Sequence, residues 1–131
     1  MSTRRSSHLF RAFEIEALRY MLGPELSAIW LDKLDTEAEL VSYNYSGSGY
    51  FLTVSHPVLP KERSVFSAPP VIGAANDVQA GFLCFVQDGE LMLECHTWGA
   101  VDVPADFREM NVSVQVVEGH SAVRVSGESA A

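Results

Sequence analysis

Asp88-Gly89 is the feature that most limits what this chain can fold into. Both residue types tolerate positive φ, as a two-residue primed turn demands, and runs rich in Phe, Val, Leu and Cys flank the pair between Ala80 and Trp98. A hairpin closed by that turn has one register. Gln87 faces Glu90, so Val86 faces Leu91, Cys84 faces Leu93 and Phe82 faces Cys95 on one side of the ribbon. The other side pairs Phe85 with Met92, Leu83 with Glu94 and Gly81 with His96, and Trp98 follows just beyond. Both sides are apolar near the turn, which places this strand pair in the middle of a sheet.

The remainder of the chain supplies elements to surround it. Phe10, Phe13, Ala17, Tyr20 and Met21 recur at steps of three and four, which predicts a helix near Leu9 to Leu22. Gly23 suits a left-handed cap and Pro24 the first turn of a new helix, so a second helix is expected to about Leu34, with Leu26, Ile29, Trp30 and Leu34 as its stripe. Residues 38–55 alternate around the turn Ser46-Gly47-Ser48-Gly49, pairing Tyr45 with Tyr50, Tyr43 with Leu52 and Val41 with Val54. Residues 56–79 hold Pro57, Pro60, Pro69 and Pro70, which forbid a long helix or a central strand and leave room for short edge strands near Ser64 to Phe66 and Val71 to Ile72. A third hairpin is expected where Val112, Val114 and Val116 alternate, with Val114 facing Val123 and Val112 facing Val125. The expected fold is therefore α+β: two N-terminal helices packed on a mostly antiparallel sheet of about six strands, built from three β-hairpins. A β-sandwich or half-barrel with peripheral helices is the alternative. Residues 1–8 read as a disordered tail, 9–126 as a single domain and 127–131 as a frayed end.

No apolar run approaches the roughly 18 to 20 residues of a membrane-spanning helix, and Glu14, Glu16 and Arg19 interrupt the segment where an export signal would be apolar. A cytoplasmic protein with no membrane association is expected. Formal charge is −8 and lies in the second half: residues 1–65 hold seven Lys or Arg against eight Asp or Glu, whereas residues 66–131 hold two against nine. A field of that sign repels phosphate backbones, so direct nucleic-acid binding is not expected, and it steers a basic protein partner inward. Cys84 and Cys95 share a face one pair out of register, with α-carbons about 7 Å apart at the outer edge of disulfide geometry, and are expected as free, buried thiols.

The chemistry-bearing residues are sparse. No CxxC, HxxxH or HExxH spacing occurs, and Cys95 and His96, adjacent on a strand, point to opposite faces, so no metal site is expected. The thiols share their face with Phe82, Val86, Leu91 and Leu93, which raise a thiol pKa rather than lower it, so no catalytic nucleophile is expected either. Glu94, His96 and Trp98 alternate along one strand and share a face. Gly81 opposite His96 has no side chain, which would leave space for a ligand against the imidazole. The bland account of the three is that they mark where the strand leaves the core.

The stretches Gly49-Tyr50-Phe51-Leu52-Thr53-Val54 and Gly89-Glu90-Leu91-Met92-Leu93-Glu94-Cys95-His96, with the acidic segment from Asp102 to Glu109, resemble the small acidic bacterial immunity proteins that neutralise a cognate toxin. The resemblance implies a non-enzymatic inhibitor with no cofactor and a basic toxin as partner. Asp102, Asp106 and Glu109, with Glu94 and Trp98 nearby, are then the interface candidates. A small-molecule binder or enzyme using Glu94, His96 and Trp98 is the competing class. A homodimer joined through an edge strand or the Pro-rich stretch is the third.

Overall fold

A computed structural model describes residues 9–117. The first element is one helix, α1, Ala12–Glu37. Its start is closed locally, because the Glu14 carboxylate reaches back to accept the Arg11 N–H at 2.6 Å. The two helices expected from Gly23-Pro24 are corrected to this single kinked run. Gly23 alone leaves helical geometry, at φ 86° and ψ 169°, and the helix resumes at Pro24 without a loop. The kink interrupts the backbone ladder, and Ser27 Oγ donates to the Arg19 carbonyl at 3.3 Å across it. Its buried positions are Phe13, Ala17, Leu18, Met21 and Leu22 before the kink and Trp30, Leu31 and Leu34 after it. Tyr20 and Ile29, expected on the buried stripe, are exposed, because the buried stripe runs instead through Leu18 and Leu22 before the kink and Trp30, Leu31 and Leu34 after it.

Seven strands follow in one sheet: β1 Glu39–Tyr45, β2 Tyr50–Ser55, β3 Ser64–Phe66, β4 Val71–Ala75, β5 Val78–Gln87, β6 Glu90–Thr97 and β7 Ser113–Val116. The order is β1-β2-β6-β5-β4-β7, every pairing is antiparallel, and β3 lies on β5 beyond the end of β4. A single sheet replaces the sandwich alternative. The long strand β5 organises it, with β6 along one edge and β4 and β3 end to end along the other.

The central register is the one the turn dictates, from Gln87 against Glu90 to Gly81 against His96, and both turn residues have positive φ, 57° at Asp88 and 76° at Gly89. In the first hairpin Tyr45 meets Tyr50 and Tyr43 meets Leu52, but a bulge between Leu40 and Ser42 puts Leu40, not Val41, opposite Val54. The Pro-rich stretch is more ordered than its composition suggests. A cis Ala68-Pro69 bond lies between β3 and β4, and Asn76, at φ 56°, starts a two-residue turn that pairs Ala75 with Val78. This β4/β5 hairpin is one that the Pro-rich composition concealed. The partner strand expected at Val123 and Val125, with both chain ends, lies outside the described residues. The strand before it, β7, pairs with β4.

Alternation sorts the sheet into two faces. The inner face carries Leu52, Val54, Phe82, Cys84, Leu91 and Leu93 against α1, which rests on β4, β5 and β7. Among the described residues no helix covers the outer face over β2 and β6; α1 packs chiefly on β4, β5 and β7, from the opposite side. Among the described residues no helix is long and apolar enough to cross a membrane.

Candidate functional site

The outer face of β6 presents Glu90, Met92, Glu94 and His96 in sequence. Register extends each into a row: Glu94 between Phe51 and Leu83, Met92 between Thr53 and Phe85, and Glu90 between Ser55 and Gln87. Val65 continues the Met92 row beyond Phe85, and Glu39 continues the Glu90 row beyond Ser55. The result is an apolar centre with a carboxylate at either end of a three-residue strip. A depression of about 190 Å³ lies between Thr53, Phe85, Gln87, Glu90 and Met92.

His96 and Trp98 lie at one end of this face, their rings 6.5 Å apart. The space expected opposite Gly81 is filled by the imidazole itself: a Cβ on Gly81 would stand 2.5 Å from His96 Nε2 and 2.8 Å from the Trp98 ring. His96 Nδ1 is buried with no hydrogen-bond partner among the described residues, and the Glu94 carboxylate is 4.0 Å away, beyond a hydrogen bond. The glycine thus serves to seat the ring, which leaves no room there for a ligand.

The acidic segment after β6 does not act as one patch. Asp102 lies beside β6, 3.4 Å from Thr97 Oγ1, whose hydroxyl donates to the Ser48 carbonyl at 2.8 Å. Asp106 is exposed at the start of a single 3-10 turn, Phe107–Glu109. Glu109 accepts from Arg11 at 2.7 Å, and that hydrogen bond and charge hold its carboxyl below the usual range. The structure therefore brings Glu94, His96 and Trp98 together at one end of the outer face, sets Asp102 beside Thr97, which alternates to the other side of β6, and ties Glu109 to the start of the helix.

Between these positions is a buried cluster. Glu14 is fully buried and receives both prongs of the Arg108 guanidinium, Nε to Oε2 at 2.7 Å and Nη2 to Oε1 at 2.8 Å. The Tyr50 hydroxyl also donates to Oε2, and Arg108 Nη2 reaches the Leu9 carbonyl at 2.8 Å. The guanidinium lies over the Tyr43 and Tyr50 rings, 5.4 and 5.7 Å from their centroids. Burial first, and the neighbouring Glu14 charge second, push the Tyr50 hydroxyl pKa far above its ordinary value. With every carboxylate oxygen engaged, the cluster is a clamp that joins the helix start, β2 and the 3-10 turn. One trace of it was in the sequence: Glu14 stands four residues after Phe10 and three before Ala17, on the face of the apolar stripe, a place a solvated carboxylate would avoid.

A second missed residue is His56, in a cleft of about 500 Å³ lined by Glu37, Glu39, Ser55, His56, Pro57 and Gly89. Its Nδ1 accepts the Val58 N–H at 2.9 Å, which leaves Nε2–H to meet Glu37 Oε1 at 3.0 Å. Both ring nitrogens are occupied, so the neutral imidazole has no lone pair left to act as a base. Cys84 and Cys95 are free and buried, and burial pushes both thiols up to about 12. Among the described residues no three His, Cys, Asp or Glu side chains are grouped so as to hold a metal ion.

No protein-family model, curated protein or solved structure matches this chain.

Proposed function

We propose that this chain is a non-enzymatic, acidic protein-binding domain, of the kind that acts as an immunity protein by neutralising a basic toxin. One observation carries the reading. The seven described strands contain no Lys or Arg, and their three carboxylates, Glu39, Glu90 and Glu94, all stand on the face that the helix leaves open. A net negative field over an open surface raises the encounter rate with a cationic partner and repels nucleic acid, the same target a toxic nuclease would seek. The engagement of His56 on both nitrogens and the filled space at Gly81 speak against acid-base catalysis at either histidine.

The test is inhibition and binding across a panel of purified cationic nucleases. A cognate enzyme is expected to be inhibited at one-to-one stoichiometry, with affinity falling at least tenfold between 50 and 300 mM salt. His96→Ala is expected to leave inhibition within about twofold. Salt-independent binding of a small molecule that is abolished by His96→Ala would replace this reading with the ligand-binding one.

A further inference from the structure

We infer that the partner docks on the helix-free face along β6, and that it is a protein presenting two cationic side chains on either side of an apolar one, spaced to meet Glu90, Met92 and Glu94. The inference rests on the proposed reading of the protein as a binder of basic partners, and it fixes the address. Glu90 and Glu94 are four residues apart on one strand, so their α-carbons are about 13 to 14 Å apart at the extended rise of about 3.4 Å per residue. Met92 is midway, and its row, Thr53-Met92-Phe85-Val65, is polar at one end and apolar from Met92 onward. Val65 at that end is 42% exposed. The depression between Thr53, Phe85 and Met92 is of a size to take one aliphatic side chain.

An apolar centre inside a charged rim is the anatomy of a protein interface, in which the centre supplies affinity and the rim supplies register and on-rate. On the strands themselves the rim is acidic, while Lys61 and Arg63 lie just before β3, where the Lys61 carbonyl accepts the Asp88 N–H at 3.0 Å. A second copy stacked on the same strands would bring Glu39, Glu90 and Glu94 near their equivalents, which opposes that pairing and favours a cationic partner along β6. Asp106 and Glu109 lie outside this surface, on the 3-10 turn that packs at the start of the helix.

The experiment uses ¹⁵N-labelled full chain and three extended nine-residue peptides: one repeating Lys-Thr-Leu-Thr-Lys, one with Ser in place of Leu, and one with Glu in place of Lys. The Lys/Leu peptide is expected to bind saturably and to shift the amide signals of Phe51, Leu83, Phe85, Met92 and Glu94. The Ser and Glu peptides are expected to bind at least tenfold more weakly. The double change Glu90→Lys with Glu94→Lys is expected to weaken the Lys/Leu peptide at least tenfold, and Asp106→Lys to change it less than twofold. Should the charge reversal disturb folding, Glu90→Gln with Glu94→Gln carries the same expectation at a smaller, severalfold loss. Binding that persists but maps to residues 98–112 or to the helix overturns the docking face and leaves the broader reading standing. Failure of both Lys peptides to bind overturns the two together.

Discussion

Arg108 shows how much a single side chain decides here. Its fork satisfies a carboxylate that has no access to water, and removing it would strand the Glu14 charge in the core. Arg108→Ala is therefore expected to destabilise the fold by about 3 to 5 kcal/mol, measured by urea unfolding. Coupling Arg108→Met with Glu14→Leu removes both charges at once and is expected to recover much of that loss. The buried acids act at the other end of the pH scale. The folded chain holds Cys84 and Cys95 neutral up to about 12, against about 8.5 when unfolded, and Tyr50 is raised as well. A raised acid favours the protonated, folded form, so this stability is complete below about pH 8.5 and drains as pH rises toward 12. The thermal midpoint is expected to fall from about pH 8.5 upward and faster beyond about pH 10, where Tyr50 joins the thiols. Cys84→Ala should make the fall between about pH 8.5 and 10 shallower, whatever the variant costs at neutral pH. A midpoint flat to pH 10.5 would show that the fold does not hold the two thiols and the phenol neutral.

Among the elements, the helix and the central ribbon differ in how locally they are written. The ribbon β5/β6 is specified by two turn residues and a period-two pattern, so every partner lies within a few residues of the turn and the whole register was legible. The helix kink was legible as a break but not as a continuation. Gly23 and Pro24 can end one helix and begin another, and whether a loop opens between them depends on what the two halves pack against. Here the halves stay joined, with Gly23 in a region of φ and ψ open to glycine alone. Gly23→Ala is expected to cost about 1 to 3 kcal/mol in chemical denaturation, since its Cβ meets no neighbour and the backbone conformation alone opposes it. A neutral result would mean that the helix can straighten at no cost. The hairpin β4/β5 was hidden for a different reason: its Asn76-Asp77 turn stands at the end of a Pro-rich stretch whose composition argued for loop.

For the molecule as a whole, a formal charge of −8 works against compactness and in favour of a cationic partner. Salt should then act in opposite directions on the two. Raising NaCl from 20 to 200 mM is expected to raise the thermal midpoint of the free protein by screening self-repulsion, and to weaken any complex on the β6 face. A midpoint that falls with salt would mean that specific pairs such as Arg11 with Glu109 outweigh the global field. The sequence by itself determined the α+β class, the placing of Cys95 inward and His96 outward, the short edge strand at Ser64–Phe66 and the acidic character, because each follows from a turn, a period or a sum of charges; the strand at Val71, expected at an edge, instead runs between β5 and β7. Tertiary structure alone decided that Glu14 finds Arg108, 94 residues away, that β7 lies against β4, and that the imidazole of His96 occupies the hollow at Gly81. Such pairings join groups that no local pattern relates, and they form only because burying the inner face of the sheet fixes where distant segments end up.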